Sequence, residues 1–434
     1  MHHLGVKRNE ASDQKCYVLY HGELVKKEVL FDEKQILKIA DKIEEEEAEV
    51  IDARGCALLP GLVDVHVHFR QPGREAKETI HTGSLAAAHG GFTSVFAMPN
   101  VIPSPDDRNV MEEYLKLIEK ESVIHTYPYG TITRNEAGKQ LSDLSGMYDL
   151  GIRWFSDDGV GMNNQDLMKQ ALQFSKDNGC IIACHTEDLA YRKPGASVHE
   201  SDYAIQHGWI GIPDECESVP LASDLKTQSS VNGRYHACHI SSHQSVEVLK
   251  RAKDAGLDVS AEVTVHHLLL ENTDVKGPMW KMNPPLRTHK DRMSLIEGLE
   301  NGTLDFIAND HAPHTRQDKN TTMGKAAFGI VSIETAFPLL YTEFVHHTKR
   351  WTLQQLIEWM SEKPAKRFGL EKTGRIEEGW KPDMFLADLH TTDRIDPSAF
   401  LSKGKNTPFT GWETCAKIKE TIVDGKTVWK ETYE

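Results

Sequence analysis

The feature that most constrains this chain is a β-then-α alternation that repeats eight times between residues 59 and about 370. Short runs rich in β-branched and aromatic residues fall at 63–68, 94–98, 123–127, 152–155, 181–185, 235–239, 259–265 and 306–309. Amphipathic stretches lie between them, at 107–120, 165–176, 245–255 and 292–300 among others, several entered through Ser, Asp or Asn able to cap a helix. Eight parallel strands, each returning through a helix, close most simply into a (β/α)8 TIM barrel. In this α/β fold the chemistry sits on the carboxyl-terminal rim of the strands.

The ends of the chain break the pattern. Residues 14–55 are strand-like, with turns offered by Gly22, Asp32 and Glu33, and the tail from about residue 374 returns to short strands around Asp424 and Gly425. Two β-rich ends outside a barrel can pair with each other. The expected organisation is therefore a small β-sandwich built from residues 1–58 and 373–434 around a barrel domain spanning 59–372. Two unrelated extensions are the alternative.

Across 434 residues the formal charge is -15, which argues against a nucleic-acid partner because phosphate binding needs a clustered basic face. It does not exclude an anionic small molecule, since one well-placed arginine holds a carboxylate. The longest apolar stretches are strand-sized, well short of the roughly 20 residues of a membrane helix, so no membrane span is expected. The polar first thirteen residues lack a signal peptide's apolar centre, which makes the cytoplasm the expected address. Seven cysteines without a Cys-x-x-Cys pair speak against a disulfide framework, and Cys184 and Cys238 read as buried strand thiols. The acidic run at 44–49 reads as a solvated turn.

Chemistry enters at His66 and His68. As alternate residues at the end of the first strand they share a face and bring two imidazoles into the barrel mouth, where they can hold one cation. Alone, His-x-His is a weak sign. It gains weight from Asp157 and Asp158 after strand four, His185 after five, His239 after six and Asp310 after eight, all on the rim that carries barrel active sites. Four imidazoles and two carboxylates exceed one tetrahedral site and suit two cations about 3.5 to 4 Å apart, bridged by a carboxylate. Of the adjacent aspartates only one need be a ligand, and the other can bond to backbone. The mixed donor set suits zinc, with cobalt or manganese as substitutes. Arg70 lies two residues beyond His68, so strand alternation would carry its guanidinium to the same mouth, where it would clamp a carboxylate.

These residues sit in longer motifs: Val65-His66-Val67-His68-Phe69-Arg70-Gln71-Pro72-Gly73, Ala97-Met98-Pro99-Asn100, Met282-Asn283-Pro284-Pro285-Leu286-Arg287 and Asp310-His311-Ala312-Pro313-His314. Together they resemble the dihydroorotase family of the long bacterial type, within the amidohydrolase superfamily, over essentially the whole chain. The resemblance implies two Zn2+ per subunit, one held by His66, His68 and Asp310 and the other by His185 and His239. It favours Asp158 over Asp157 as the bridge. Hydantoinases, allantoinases and many dihydroorotases bridge instead with a carboxylated lysine at the end of strand four. Here Trp154-Phe155-Ser156-Asp157-Asp158-Gly159 contains no lysine, so the resemblance is to the aspartate-bridged branch.

The same resemblance implies Asp310 as the catalytic proton carrier and a homodimer as the assembly. It also implies substrate contacts from Arg70, Asn100, Asn283 and His314 and from backbone near Phe328 and Gly329. Arg70 and Asn100 would take the substrate's carboxylate. Departures from the family pattern are Gln71 where glutamate is common, Asn309 where threonine is usual and Val101 where threonine is frequent. His266 and His267 read as support rather than as ligands. The polar loops at 280–287 and 313–328 lie near the mouth, placed to close over a substrate.

The implied reaction is the reversible cyclisation of N-carbamoyl-L-aspartate to L-dihydroorotate with loss of water, a step of pyrimidine biosynthesis. A dihydropyrimidinase, hydantoinase or allantoinase-like amidase is the competing enzyme reading, disfavoured by Arg70 and by the missing lysine. An inactive relative acting as a binding partner is disfavoured because every candidate ligand is present.

Overall fold

The computed structural model describes residues 2–4, 16–45, 49–53 and 55–432. Eight parallel strands follow one another in chain order: β1 (Leu62–Val67), β2 (Phe92–Ala97), β3 (His125–Pro128), β4 (Trp154–Ser156), β5 (Ile181–Cys184), β6 (Arg234–Ala237), β7 (Val259–Thr264) and β8 (Phe306–Ala308). Ladders join β1 through β3 and β4 through β8. Single parallel bridges, Gly130 with Phe155 and Val67 with His311, close the two remaining gaps and make the sheet a ring. This is the (β/α)8 barrel that the alternation predicts, with strand ends within two residues of the expected ones.

An apolar plug closes the amino-terminal end of the ring. Trp154, Ile181 and Phe306, at the starts of their strands, pack there with Phe96 and Phe368. The fully buried Phe96 ring lies 4.9 Å from Tyr127, 4.8 Å from Trp154 and 4.9 Å from Phe368 between centroids. Truncating it to Ala would cost about 3–5 kcal/mol, because a closed barrel cannot collapse onto the void. The opposite, carboxyl-terminal end houses the imidazoles and carboxylates of the mouth.

Helices cover the outside. Arg108–Glu121 begins where Asp107 accepts the Val110 amide, and it buries Met111, Tyr114 and Ile118, spaced at i, i+3 and i+7. His289–Asn301 begins with a reciprocal capping box between Thr288 and Asp291.

The two chain ends meet beside the barrel. A six-stranded sheet runs in the order Lys426–Lys430, Lys417–Val423, Met384–Asp388, Ala57–Pro60, Tyr17–Tyr20 and Glu23–Lys26, so carboxyl-terminal strands pair directly with amino-terminal ones. The joining register sets Met384 against Pro60 and Phe385 against Leu59. A second sheet, Ile36–Ala40, Glu28–Phe31, His2–Leu4 and Glu49–Ile51, packs on the first across a core that includes Val18, Phe31, Leu58, Met384 and Ile422. The result is a small β-sandwich made from both ends.

Strand Ala57–Pro60 continues through Gly61 into β1, so the sandwich sheet reaches two residues past 58. Gly61 has no room for a side chain there, since a Cβ would lie 2.1 Å from Thr93 Oγ1.

Cys184, in β5, and Cys238, just after β6, are buried as expected. In the acidic run Glu44 and Glu49 are exposed, while positions 46–48 lie outside the described residues, as do residue 1 and residues 5–13 of the polar amino terminus. Among the described residues no helix is long and apolar enough to cross a membrane.

Candidate metal centre

The barrel mouth gathers six buried side chains from five strand ends. His66 Nε2 lies 3.3 Å from Oδ1 of Asp158 and 3.6 Å from Oδ1 of Asp310. His68 Nε2 lies 2.9 Å from the same Asp310 oxygen and 3.5 Å from Oδ2 of Asp158. From the opposite side His239 Nε2 and His185 Nδ1 stand 3.6 and 3.9 Å from Asp158 Oδ1, and 3.0 Å from each other. Asp158 thus turns Oδ1 towards His66, His185 and His239 and Oδ2 towards His68, so histidines face both of its oxygens.

The donors fit a metal. His66, Asp158 and His239 place three donor atoms within 4.8 Å of one another, and so do His66, His68 and Asp310. His66 Nε2 and Asp158 Oδ1 are buried and face each other, yet neither has a hydrogen-bond partner. Buried polar atoms left in that state call for an ion or a water between them.

Asp157 points elsewhere. Its carboxylate accepts the amides of Ile132 at 2.8 Å and Thr133 at 3.0 Å and also the Thr133 hydroxyl, which ties the segment after β3 to the end of β4. Burial raises its pKa to about 6 against the pull of these donors.

Three rim residues adopt left-handed backbone: Arg70 at φ 62°, His239 at 32° and Asp310 at 46°. Each such conformation costs of order 1–3 kcal/mol and survives only where the surrounding packing enforces it. Arg70 corrects the expectation from strand alternation. β1 stops at Val67, so alternation does not extend to residue 70, and the left-handed turn delivers the guanidinium instead. That guanidinium is buried, with Nε lacking a hydrogen-bond partner. Burial lowers its pKa to about 10, opposed by the nearby Asp310 and Asp158 carboxylates.

Glu262, on β7, was not singled out from the sequence. Its Oε1 accepts from His66 Nδ1 at 2.7 Å and from the His239 amide at 3.1 Å, and its Oε2 meets His236 Nε2 at 2.9 Å. Taking the Nδ1 proton fixes the His66 tautomer and leaves Nε2 as the donor to a metal. The available signal was a carboxylate inside a strand that is buried along its whole length. Against the cost of burial, Asp158 and Glu262 raise the His66 pKa well above its usual value. Burial and the charge of Arg70 lower that of His68. Asp310 is also buried, but the His68 hydrogen bond helps hold its carboxyl down at about 2.

Asn100 does for His68 what Glu262 does for His66. Its Oδ1 lies 2.7 Å from His68 Nδ1 and its Nδ2 donates to the Asp158 carbonyl at 2.8 Å, so the amide is engaged with the imidazole–carboxylate set. Asn309, one of the departures from the family pattern, donates its side-chain amide to Asp64 at 2.8 Å, while Asp64 also accepts the His66 amide at 3.0 Å. That pair ties β8 to β1 directly beneath the mouth.

The remaining candidates line the outer rim. Asn283 Nδ2 donates to Glu187 Oε2 at 3.1 Å beside His185 Nε2, and Glu187 pairs with Arg192 at 2.5 Å. His314 Nε2 lies 2.7 Å from the Phe328 carbonyl and its Nδ1 lies 3.1 Å from Lys77 Nζ. A carbonyl only accepts and an ammonium only donates, so Nε2 carries the proton, Nδ1 accepts from Lys77 and the ring is neutral. Burial and the charges of Arg70 and Lys77 lower its pKa to about 3.

Gly329, at φ 126°, donates to the Lys281 carbonyl at 3.0 Å, and its own carbonyl accepts from Lys319 Nζ at 2.9 Å and Asn406 at 3.0 Å. The polar backbone at Phe328 and Gly329 is therefore engaged in holding the 313–329 loop. The Phe328 ring lies between Lys281 Nζ at 4.3 Å and the Arg192 guanidinium at 4.5 Å. His267 bonds Thr264 Oγ1 at 2.6 Å and the Pro284 carbonyl at 3.2 Å, which supports the 280–287 loop.

A ring of parallel strands with imidazoles and carboxylates at its mouth, joined to a sandwich of both chain ends, defines an amidohydrolase-type barrel. A family profile described as "Dihydro-orotase-like" matches residues 55–245. Dihydroorotases of Bacillus cytotoxicus and Bacillus cereus are each 46% identical over 417 residues, which covers 96% of this chain and 97% of theirs. Among solved structures, the L-hydantoinase (dihydropyrimidinase) of Arthrobacter aurescens matches with a TM-score of 0.85 at 26% identity, across 96% of this chain and 95% of that one. The dihydropyrimidinase of Brevibacillus agri shares the fold, with a TM-score of 0.83 at 22% identity over 96% and 94% of the two chains. The chain belongs to the dihydroorotase family.

Proposed function

We propose that this chain is a zinc-dependent dihydroorotase that interconverts L-dihydroorotate and N-carbamoyl-L-aspartate in pyrimidine biosynthesis. The observation that carries this reading is the placement of Arg70, buried with an unpartnered Nε, beside a cluster whose Asp158 faces histidines on both sides. Dihydroorotate is a cyclic amide that bears its own carboxylate, and Arg70 is the group suited to that carboxylate.

In this reading His66, His68 and Asp310 would hold one Zn2+, His185 and His239 would hold the second, and Asp158 would serve as a ligand to the pair. When bound, the pair supplies Lewis-acid polarisation of the amide carbonyl and lowers the pKa of a water. Asp310 takes a proton from the attacking water as the new C–O bond forms. It returns that proton to the ring nitrogen as the C–N bond breaks, and microscopic reversibility assigns it the opposite duties in ring closure. Asn100 and Glu262 keep the two imidazoles of β1 oriented. Asn283 and His314 flank the substrate at the rim, with Phe328 and Gly329 supplying the loop wall.

The proposal extends to a barrel domain at 59–372, a sandwich domain from 1–58 and 373–434, a homodimer, and a cytoplasmic address with neither nucleic-acid nor membrane partners. Its test is an assay of the zinc-loaded protein with dihydroorotate, hydantoin and allantoin. One carboxylate clamp contributes about 1.5–3 kcal/mol, so kcat/KM for dihydroorotate should exceed that for the uncharged rings by about 10- to 100-fold. Preference for an uncharged ring would defeat the proposal.

A further inference from the structure

At the end of the barrel opposite the mouth, a second imidazole–carboxylate cluster spans the junction with the sandwich. His125 opens β3, Asp383 immediately precedes the sandwich strand Met384–Asp388, and Asp424 sits in the turn between Lys417–Val423 and Lys426–Lys430. His125 Nε2 lies 3.2 Å from Asp383 Oδ2 and 3.5 Å from Asp424 Oδ1, and the three residues offer donor atoms within 4.8 Å of one another. Asp383 is only 3% exposed. Its Oδ1 accepts the Asp424 amide at 2.8 Å, which leaves Oδ2 directed at the imidazole.

Neither His125 Nε2 nor Asp383 Oδ2 has a hydrogen-bond partner, although both are buried. The imidazole stands at ion-pair distance from both carboxylates, so a proton or a metal ion can occupy the same place between the three groups. The same signature, two buried unpartnered donors 3.3 Å apart, marks His66 Nε2 and Asp158 Oδ1 at the mouth. Donors held about 2.0–2.1 Å from a tetrahedral zinc ion stand roughly 3.3–3.4 Å apart, and the two separations at His125 bracket that value.

We propose that His125, Asp383 and Asp424 form a structural site for one divalent transition-metal ion of the zinc class, which clips the sandwich to the amino-terminal end of the barrel. Two carboxylates balance the charge of the ion, and the imidazole selects a zinc-like ion over magnesium or calcium. The Asp424 side chain is 54% exposed, which leaves room for water as a fourth ligand. The site lies away from the chemistry and depends on none of it.

The test compares bound metal in the full-length wild type and in Asp424→Asn, by elemental analysis and by Zn2+ titration. Asn accepts the left-handed φ of 47° at that turn, so the fold should be kept. The variant should hold one equivalent fewer than wild type, whatever number the mouth retains, with unchanged turnover and a smaller rise in Tm on adding Zn2+. His125→Gln should lose the same equivalent. Anomalous diffraction at the zinc edge should place a peak about 2.0–2.2 Å from His125 Nε2 and Asp383 Oδ2. Equal metal content in wild type and both variants, with no peak at that place, overturns the site and leaves an ion-paired His125 as the link.

Discussion

Nδ1 of His66 lies 2.7 Å from Oε1 of Glu262, a carboxylate that also receives the His239 amide and His236. Glutamine at this position would present an NH2 group to one of those donors and release the His66 tautomer. Glu262→Gln should fold, and its metal affinity should fall by about 10- to 100-fold, as for other partners of metal-binding histidines. Chelator competition reads this directly, and wild-type affinity would show that the contact does not orient His66.

Asp157 and Asp158 are adjacent and should respond in opposite ways. Asp158→Asn should lose bound metal and turnover together. Asp157→Asn should keep its metal and lose about 1–3 kcal/mol of stability, because the amides of Ile132 and Thr133 lose part of a buried acceptor. Metal analysis beside denaturant unfolding separates the two, and loss of metal from the Asp157 variant would reverse the assignment.

Arg70 is expected to act on the substrate's carboxylate. Arg70→Lys keeps the charge but not the planar fork, so KM for dihydroorotate should rise about 10- to 100-fold while any residual activity on hydantoin is unaffected. Equal effects on both rings would point to a role in folding the mouth.

His314 gives the loop at 313–329 a pH dependence. Its pKa is about 3 in the folded protein, against the ordinary 6.5, because of burial and the charges of Arg70 and Lys77. The unfolded loop binds the proton first. The contribution of His314 to loop order is therefore complete above pH 6.5 and is lost as pH falls from 6.5 towards 3. At pH 5 the loss is about 2 kcal/mol. Hydrogen exchange of these amides, corrected for intrinsic rates, should quicken from pH 7 to 5 in wild type, and a His314→Asn variant should lack this extra acceleration. Parallel pH profiles in the two proteins would remove His314 as the cause.

What could be read from the sequence follows from how local each determinant is. The eight strands were visible as short β-rich runs between amphipathic stretches, as was the two-residue spacing of His66 and His68. Arg70 marks where that reasoning stops, because β1 ends at Val67 and a left-handed turn takes over. The orientation of Asp157 is set by amides 24 and 25 residues away, and that of His66 by a glutamate 196 residues away. Such pairings depend on how strands register around the ring, which spacing along the chain does not encode. The bonds of Asn100 to His68 and to the Asp158 carbonyl likewise join residues 32 and 58 positions apart.

The central claim is that this mouth takes a cyclic amide bearing its own carboxylate. Its most direct test is a crystal structure of the metal-loaded enzyme with L-dihydroorotate bound. The expected result is a carboxylate held by the Arg70 guanidinium in paired hydrogen bonds of about 2.7–2.9 Å, with the ring amide turned to Asp310 and the histidine cluster. A carboxylate directed to solvent with Arg70 turned away, or a ring bound outside the mouth, would contradict it.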